Sequence, residues 1–261
     1  DIGTAKANPN ELLRVPHHMV DICDIGTIFS VADYSAMAKK CIVDIHERGK
    51  LPFIVGGTGL YVDNVIKNTK FAEHNDNTTV RETLTDKLNE FGAEWLYEEL
   101  KKVDPQSSEK LHVNDTKRVM RALECYILTG KTKTELDAVS RNDDDFCESL
   151  YIGICFDDRQ KLYQRINERV DQLMRDGLVS EVESLLNKGL ADCSTAYQAI
   201  GYKEIAQYIL GKCSLDVAVE QLKMATRRYA KRQMTWFNRN EKINWLVFDK
   251  DFDCDKDRLY K

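Results

Sequence analysis

The chain has 261 residues, of which 43% are apolar and 31% are charged, and its formal net charge is −5 at pH 7. This length is enough to bury one full core and a second small one, so we expect one or two domains. No apolar run reaches the roughly 18 residues of a membrane span, and the N-terminal residues lack the order of a secretory signal, so we expect a soluble cytoplasmic protein. Eight scattered cysteines without a C-x-x-C pair indicate reduced thiols rather than a zinc site or a disulfide framework.

The first part of the chain has the pattern of a parallel α/β layer. Ser30 and Asp33 form a predicted capping box, after which apolar residues recur at helical spacing up to Gly49. Residues 51–55 are a short apolar run that predicts a buried strand, and the Gly-Gly-Thr-Gly turn at residues 56–59 leads into another helix. The order helix, strand, glycine turn, helix is typical of a parallel sheet covered by helices.

The middle of the chain is polar and strongly helical. We predict helices at residues 78–91, 94–103 and 115–128 and find no convincing buried strand among them, which indicates a helical insertion. The predicted domains are the first part of an α/β core at 1–67, a helical insertion at 68–149, and the second part of the core at 150–261.

The last part of the chain returns to the α/β pattern. Residues 151–156 predict a buried strand followed by an amphipathic helix, and residues 244–248 predict a last strand. Between them, helices are predicted near residues 180–187 and 200–210, and Ser214 is suited to cap a long helix.

Two features near predicted strand ends are candidates for ligand binding. The glycines at residues 56–59 allow close backbone approach, and the following helix offers free N–H groups, although such a turn can equally be structural. Arg165 and Arg169 lie on the helix that follows the strand at 151–156, at the edge where α/β sheets bind ligands, and could clamp a phosphate. The alternative is a solvated helix face with ion pairs at four-residue spacing, which the residues alone favour.

The predicted long helix carries a cluster of positive charge. Residues 223–239 include six cations and no acid: Lys223, Arg227, Arg228, Lys231, Arg232 and Arg239. Tyr229, Trp236 and Phe237 add aromatic surface, and cations beside stacking surfaces are typical of an RNA-binding face. The alternative is a solvated helix whose aromatic side chains enter the core, but six uncompensated cations favour nucleic-acid binding.

Two further pairs of residues can be interpreted either as functional or as structural. Arg118 and Arg121 lie one turn apart after the Asn114–Asp115 helix start, which either meets a polyanion or is simply well capped. His17 and His18 have no third ligand at metal spacing, so we interpret them as structural histidines and assign no metal ligand in this sequence.

Eight ordered blocks resemble one known family. They are DIGTAK at 1–6, VPHHMVDICD at 15–24, FSVADY at 29–34, LPFIVGGTGLY at 51–61, HVNDTKRVMRALE at 112–124, LYQRINERVDQLMRDGLVSEV at 162–182, AIGYKE at 199–204 and ATRRYAKRQMTWFNR at 225–239. The chain thereby resembles the tRNA dimethylallyltransferase (isopentenyl-pyrophosphate transferase) family. The resemblance implies a P-loop NTPase-like α/β fold, with a parallel sheet core and a helical insertion domain. It also implies transfer of a dimethylallyl group from dimethylallyl pyrophosphate to N6 of the adenosine 3′-adjacent to the anticodon.

The resemblance also implies roles for individual residues. Arg165 resembles the catalytic arginine that contacts the pyrophosphate, and Thr58 resembles a catalytic residue at the substrate adenosine. Residues that resemble tRNA-contacting positions are Arg81, Asp115, Thr116, Lys117, Arg118, Gln198, Gly201, Tyr202, Lys203, Lys231, Arg232, Gln233, Thr235 and Trp236.

The sequence departs from the family at its beginning. It starts at Asp1 without an initiator Met, and the family's G-x-T-x-x-G-K-[ST] loop and catalytic aspartate lie upstream of the DIGTAK block. We therefore expect a fragment with little activity alone, and Mg²⁺ ligands in the segment that is not present.

The expected partners are tRNA and dimethylallyl pyrophosphate, with no membrane contact and a monomeric state. Two alternatives stay open. One is an adenylate isopentenyltransferase, which acts on free nucleotides, and the other is a non-catalytic RNA-binding remnant.

Overall fold

A computed structural model of the chain describes residues 1–69, 78–140, 145–193 and 195–251. The chain divides into two compact units: a core unit formed by Asp1–Asp63 and Glu148–Lys261, and a helical unit formed by Asn64–Cys147. The sequence pattern placed these limits a few residues later, after residues 67 and 149. Across the described ranges, no helix combines the length and the apolar character needed to cross a membrane.

The elements follow in chain order. They are α1 (Pro9–Arg14), α2 (Val31–Glu47), α3 (Gly59–Ile66), α4 (Thr78–Val103), α5 (Pro105–Lys110), α6 (Thr116–Thr129), α7 (Lys133–Ser140), β1 (Tyr151–Cys155), α8 (Arg159–Arg175), α9 (Leu178–Asn187), α10 (Tyr202–Ile209), α11 (Leu215–Phe237), β2 (Ile243–Val247) and α12 (Phe248–Asp251). Short 3₁₀ turns at Leu190–Asp192 and Ala196–Gln198 join α9 to α10.

The predicted helix caps in the core unit are confirmed. The Ser30 hydroxyl accepts the backbone N–H of Asp33 at 3.2 Å while the Asp33 carboxylate accepts the N–H of Ser30 at 3.0 Å, which closes a capping box on α2. The Ser214 hydroxyl caps α11 by accepting the N–H of Val217. Both caps satisfy donors that the first helical turn leaves without a helical partner.

The two strands β1 and β2 form a parallel pair in which Tyr151 lies beside Ile243 and Cys155 beside Val247. Both strands were predicted, and their bounds shift by only one residue. Gly153 sits against the Trp245 indole, where an added Cβ would overlap the ring. Side chains alternate between half-buried and exposed along both strands, as the two-residue period of a strand requires.

The prediction of a buried strand at residues 51–55 is wrong. The segment has no regular secondary structure, and Leu51, Phe53 and Val55 are 74%, 79% and 91% exposed. A strand needs a neighbour to satisfy its backbone N–H and C=O groups. Within the described residues, β1 and β2 pair only with each other, so this apolar run has no strand to join.

The hydrophobic core of the core unit lies among α8, α9, α10 and α11. Its buried members are Val170, Leu178, Val182, Leu190, Tyr202, Ile205, Ala206, Ala218 and Leu222. These positions recur at three- and four-residue spacing on α9 to α11, so each of these helices presents one apolar stripe to the others. The packing fixes α11 along its first half and leaves its second half to meet the glycine turn described below.

The helical unit is built around α4 and α6. Gly92 adopts φ +84° inside α4, a left-handed conformation that interrupts the helix and confirms the predicted break between residues 91 and 94. Leu96, Leu100 and Val119 are fully buried between the two helices. The buried Asp104 carboxylate accepts hydrogen bonds from the backbone and hydroxyl groups of Ser107 and Thr134, at 2.7–3.0 Å, and thereby ties the start of α5 to the start of α7.

Candidate nucleic-acid interface

The glycine turn at residues 56–59 lies directly against α11. Thr58 Oγ1 is 3.2 Å from the Tyr229 hydroxyl oxygen. A Cβ added to Gly57 would overlap the Gln233 amide, and one added to Gly59 would overlap the Trp236 indole. The Trp236 ring leaves no room for a side chain at Gly59, whereas the flexible Gln233 side chain could move aside at Gly57, and both contacts join the glycine turn to α11.

One stripe of α11 makes all of these contacts. Tyr229, Gln233 and Trp236 are spaced four and three residues apart, so they project from the same face of the helix. The Trp236 indole N–H also donates to Asp63 Oδ2 at 3.1 Å, which anchors the first turns of α3. Gln233 and Trp236 were predicted to contact tRNA, and the structure turns both of them towards the glycine turn.

A second stripe of α11 faces solvent. Its exposed members are Arg228, Lys231, Arg232, Thr235 and Arg239. The Arg232 guanidinium lies 5.6 Å from the centre of the Tyr229 ring, and the Arg239 guanidinium lies 5.8 Å from the centre of the Trp236 ring. Stacking of this kind restrains the cations while leaving their N–H groups available to an anion.

The predicted set of six uncompensated cations is too large. Lys223 pairs with Asp171 on α8 at 2.8 Å and is only 15% exposed; that hydrogen bond, against a smaller effect of burial, raises the pKa of the Lys223 ammonium. Arg227 donates to the Asn167 side chain at 2.7 Å and lies over the Tyr163 ring. Asp171 and Asn167 lie on α8, which the sequence of α11 does not reveal, while Glu220 on α11 itself places a second carboxylate 3.6 Å from the Lys223 ammonium.

The segment before α10 divides into structural and exposed residues. Tyr202 is only 6% exposed, and Gly201 is also buried, with φ +105°, so both residues pack inside the core unit, and their predicted contact with tRNA stays a prediction. Gln198 and Lys203 are exposed. Lys203 and Arg228 line a cavity of about 230 Å³ between α10 and α11, together with Glu204, Gln207, Gln221, Met224 and Ala225.

Glu181 holds the DIGTAK block onto α9 and α10. Its carboxylate accepts the backbone N–H groups of Ile2 at 2.7 Å and Gly3 at 3.1 Å, and the Tyr202 hydroxyl at 2.8 Å. Burial raises the pKa of Glu181, but these hydrogen bonds outweigh it and hold the pKa below its ordinary value. Burial and the Glu181 charge raise the pKa of Tyr202, so its hydroxyl stays a donor.

Arg165 lies on α8, which follows the carboxyl end of β1. Its guanidinium lies 5.0 Å from the centre of the Phe248 ring, and Phe248 packs against Phe156 with 5.2 Å between ring centres. The Asp249 carboxylate accepts the N–H groups of Asp157 and Asp158 at 2.9 and 3.0 Å. The residues after β2 thus fix the β1–α8 turn and support Arg165, whose side chain is exposed at the edge of the sheet.

In the helical unit, Arg81 forms an ion pair with a buried carboxylate. Its guanidinium binds the Glu124 carboxylate through two bonds of 2.5 and 2.9 Å, and Arg121 adds a third at 3.3 Å. Glu124 is only 3% exposed. Burial raises the pKa of Glu124, but the hydrogen bonds and charges of Arg81 and Arg121 outweigh it and hold the pKa below its ordinary value. Arg81 therefore has a structural role that the sequence did not indicate.

The start of α6 differs from the predicted cap. Asp115 occupies the N-cap position, but its side chain makes no capping hydrogen bond and instead pairs with Arg118 at 3.1 Å. The next two residues, Thr116 and Lys117, are half-buried and exposed respectively. The side chains of Asp115, Thr116 and Lys117 are therefore at least partly exposed at the start of this helix. Their predicted contact with tRNA stays a prediction.

Among the described residues, the side chains that could bind a metal do not form a cluster. In the described part of the chain, no three His, Cys, Asp or Glu side chains converge as metal ligands. His17 is held by a 2.7 Å hydrogen bond between Nδ1 and the carbonyl oxygen of Val15. No step of the reaction is therefore assigned to a metal held by these residues.

The fold and the site together define a class of protein: an α/β core with a helical insertion, in which a glycine turn rests on a basic helix suited to a polyanion. A family model described as "IPP transferase" matches residues 1–240. The tRNA dimethylallyltransferase of Thermoanaerobacter sp. (strain X514) is 45% identical over 95% of this chain and 79% of its own length. That of Geobacillus thermodenitrificans is 46% identical over 94% of this chain and 77% of its own length.

Solved structures agree with these matches. The full-length tRNA isopentenylpyrophosphate transferase of Bacillus halodurans is 41% identical with a TM-score of 0.68, covering 100% of this chain and 80% of its own. A eukaryotic dimethylallyltransferase acting on tRNA is 27% identical with a TM-score of 0.77, covering 99% of this chain and 67% of its own. The chain belongs to the IPP transferase family. The predicted fold class, a P-loop-like α/β core with a helical insertion, is confirmed by this likeness.

Proposed function

We propose that the chain transfers the dimethylallyl group of dimethylallyl pyrophosphate to N6 of the adenosine 3′-adjacent to the anticodon in tRNA. One observation carries the proposal: the Thr58 hydroxyl contacts α11, and the exposed stripe of this same helix presents Lys231 and Arg232 to solvent. A hydroxyl group able to bind a nucleobase thus lies beside cations able to bind phosphates. The relatives named tRNA dimethylallyltransferase support the choice of substrate.

In binding the RNA, the exposed stripe of α11 supplies affinity for the phosphates, and the glycine turn recognises the adenosine. Arg228, Lys231, Arg232 and Arg239 bring four positive charges to the backbone phosphates. An adenosine stacked in the anticodon loop cannot present N6 to an enzyme, so it must leave the stack and enter a pocket. Thr58 then accepts a hydrogen bond from the exocyclic amine, because a threonine hydroxyl oxygen has two lone pairs.

On the donor side, Arg165 stabilises the leaving group. Its guanidinium lies over the Phe248 ring, and the N–H donors of a guanidinium match two oxygens of a phosphate. The N6 lone pair forms a bond to C1 of the dimethylallyl group as the C1–O bond breaks and its electron pair leaves with pyrophosphate. N6 then loses one proton to a base. Charge that develops on the pyrophosphate is stabilised by the guanidinium.

A competition between acceptors tests the proposal. Protein expressed from the entire reading frame is incubated with labelled dimethylallyl pyrophosphate and equal concentrations of AMP and of a tRNA with adenosine beside the anticodon. We expect the label on tRNA. Label on AMP alone would assign the chain to the adenylate isopentenyltransferases, and tRNA binding without any transfer would identify a non-catalytic RNA-binding protein.

A further inference from the structure

We propose that Tyr229 is a positioning residue for the reaction: it fixes the Thr58 hydroxyl so that the glycine turn distinguishes adenosine by its exocyclic amine. This inference rests on the proposed function, because it assumes that Thr58 meets that amine. Tyr229 does not belong to the residues that the resemblance connected with catalysis or with tRNA. The juxtaposition that carries the inference is the hydroxyl pair between Thr58 and Tyr229, 3.2 Å apart.

The backbone on both sides of Thr58 is held by α11. Gly57 approaches the Gln233 amide and Gly59 approaches the Trp236 indole so closely that a Cβ added at either position would overlap these side chains. Trp236 also binds Asp63, on the helix that begins at Gly59, through a hydrogen bond of 3.1 Å. The Trp236 ring limits movement of the turn towards α11, the Trp236–Asp63 hydrogen bond ties α3 to α11, and within this arrangement the Thr58 side chain can still rotate about χ1.

Tyr229 restrains that remaining freedom. A threonine hydroxyl can occupy three staggered positions, and the observed one places Oγ1 within hydrogen-bonding distance of Tyr229. Either hydroxyl can be the donor, and in both cases Thr58 keeps a lone pair for an N–H of the substrate. A hydroxyl fixed before the substrate arrives loses no rotational freedom on binding, which is the advantage of a preorganised site.

Tyr229 also connects recognition with phosphate binding. The Arg232 guanidinium stacks on the Tyr229 ring at 5.6 Å, and Arg232 belongs to the exposed stripe proposed to meet tRNA. The same ring thus supports a cation on its face and orients Thr58 through its hydroxyl. Replacing the ring would disturb both functions, whereas removing only its hydroxyl separates them.

Binding of two RNAs that differ by one amine tests the inference. An anticodon stem-loop carries either adenosine or purine riboside, which lacks the 6-amino group, at the position 3′ of the anticodon. Because one hydrogen bond is at stake, we expect the wild-type chain to prefer the adenosine RNA by about fivefold. In Tyr229→Phe this ratio falls by up to about threefold, because the Thr58 hydroxyl is then free to occupy three staggered positions, while the affinity for the purine riboside RNA and its salt dependence stay unchanged.

A double-mutant cycle shows whether Tyr229 acts through Thr58. We expect Thr58→Val to lose the preference completely, and the combined Thr58→Val and Tyr229→Phe variant to lose no more than Thr58→Val alone. Tyr97→Phe is the matched control, because it removes a tyrosine hydrogen bond of 2.8 Å to the Ser108 carbonyl in the helical unit. Its ratio should equal that of the wild-type chain.

The outcomes separate this inference from the proposed function. Retention of the full preference in Tyr229→Phe, or an equal loss of affinity for both RNAs, would overturn the positioning role. A wild-type chain that bound both RNAs equally would instead overturn the placement of Thr58 at the amine, and a wild-type chain that bound neither would overturn the RNA-binding surface itself.

Discussion

Substitution of Arg81 tests whether this residue serves the fold of the helical unit. Arg81 on α4 and Glu124 on α6 join the two principal helices of that unit through a bidentate ion pair. In Arg81→Ala the Glu124 carboxylate, which is only 3% exposed, keeps just the 3.3 Å contact with Arg121. The variant should therefore be less stable, because a buried charge loses most of its compensation.

The size of the effect follows from the exposure of the two partners. Removing one member of a fully buried pair destabilises a protein by about 3–5 kcal/mol. Arg81 is 60% exposed, so water screens the pair, and Arg121 still neutralises part of the charge. We therefore expect a loss of about 1–2 kcal/mol. Glu124→Gln introduced into Arg81→Ala should restore about half of it, because the buried group is then neutral.

Hydrogen exchange of the α6 backbone amides measures this loss within the helical unit. Exchange in Arg81→Ala should be about 5- to 30-fold faster than in the wild-type chain, and Glu124→Gln should slow it again. Arg118→Ala is the matched control, because Arg118 is 74% exposed and its ion pair with the half-buried Asp115 carboxylate, at 3.1 Å, lies within one helical turn. Unchanged exchange in Arg81→Ala, together with weaker tRNA binding, would refute the structural role.

Three further variants test other parts of the site. Arg165→Ala should raise the dimethylallyl pyrophosphate concentration for half-maximal transfer by about 10- to 100-fold, because a charged contact to the leaving group is lost. Lys231→Ala combined with Arg232→Ala should weaken tRNA binding and reduce the slope of log affinity against log salt concentration by about 1.5 to 2. Glu181→Gln should lower the free energy of unfolding at pH 7, as measured with urea. On acidification this free energy should then fall less than that of the wild-type chain. The lowered pKa of Glu181 means that its contribution is complete above its ordinary pKa and is lost as the pH falls through its folded-state pKa.

Each of these variants has a matched comparison. Arg175→Ala changes an exposed arginine at the far end of α8 and should leave use of the donor unchanged. Lys188→Ala with Lys212→Ala removes two exposed charges outside α11 and should leave the salt slope close to that of the wild-type chain. A Glu181→Gln chain whose stability fell as steeply as that of the wild-type chain below about pH 4.5, where the contribution of Glu181 is lost, would show that other carboxylates dominate acid unfolding.

The elements that the sequence predicted correctly depend on local signals. Ser30 and Ser214 cap the helices that follow them, and Gly92 breaks α4, because these effects need only neighbouring residues. The prediction of a strand at residues 51–55 is wrong because a strand depends on a partner strand elsewhere in the chain. Their apolar composition says nothing about whether that partner is within reach.

The structure shows contacts among the predicted site residues that the sequence did not indicate. The resemblance selected Thr58 and Arg165, but the contact of Thr58 with Tyr229 spans 171 residues and has no local signal beyond the two flanking glycines. Lys223 looked like part of a free basic stripe until α8 supplied Asp171. Tyr202 belongs to a family block, yet its side chain completes the core. Sequence blocks therefore show which segments matter and not which of their side chains face the ligand.

Nucleoside mapping of tRNA after reaction tests most directly whether this fold presents one adenosine to the prenyl donor. The tRNA is incubated with dimethylallyl pyrophosphate and protein from the entire reading frame, digested to nucleosides and to oligonucleotides, and analysed by mass spectrometry. We expect the mass of one dimethylallyl group on the adenosine 3′-adjacent to the anticodon, and none when that adenosine is replaced by guanosine. A modification on other adenosines, or on none, would contradict the site built from Thr58, Arg165 and α11.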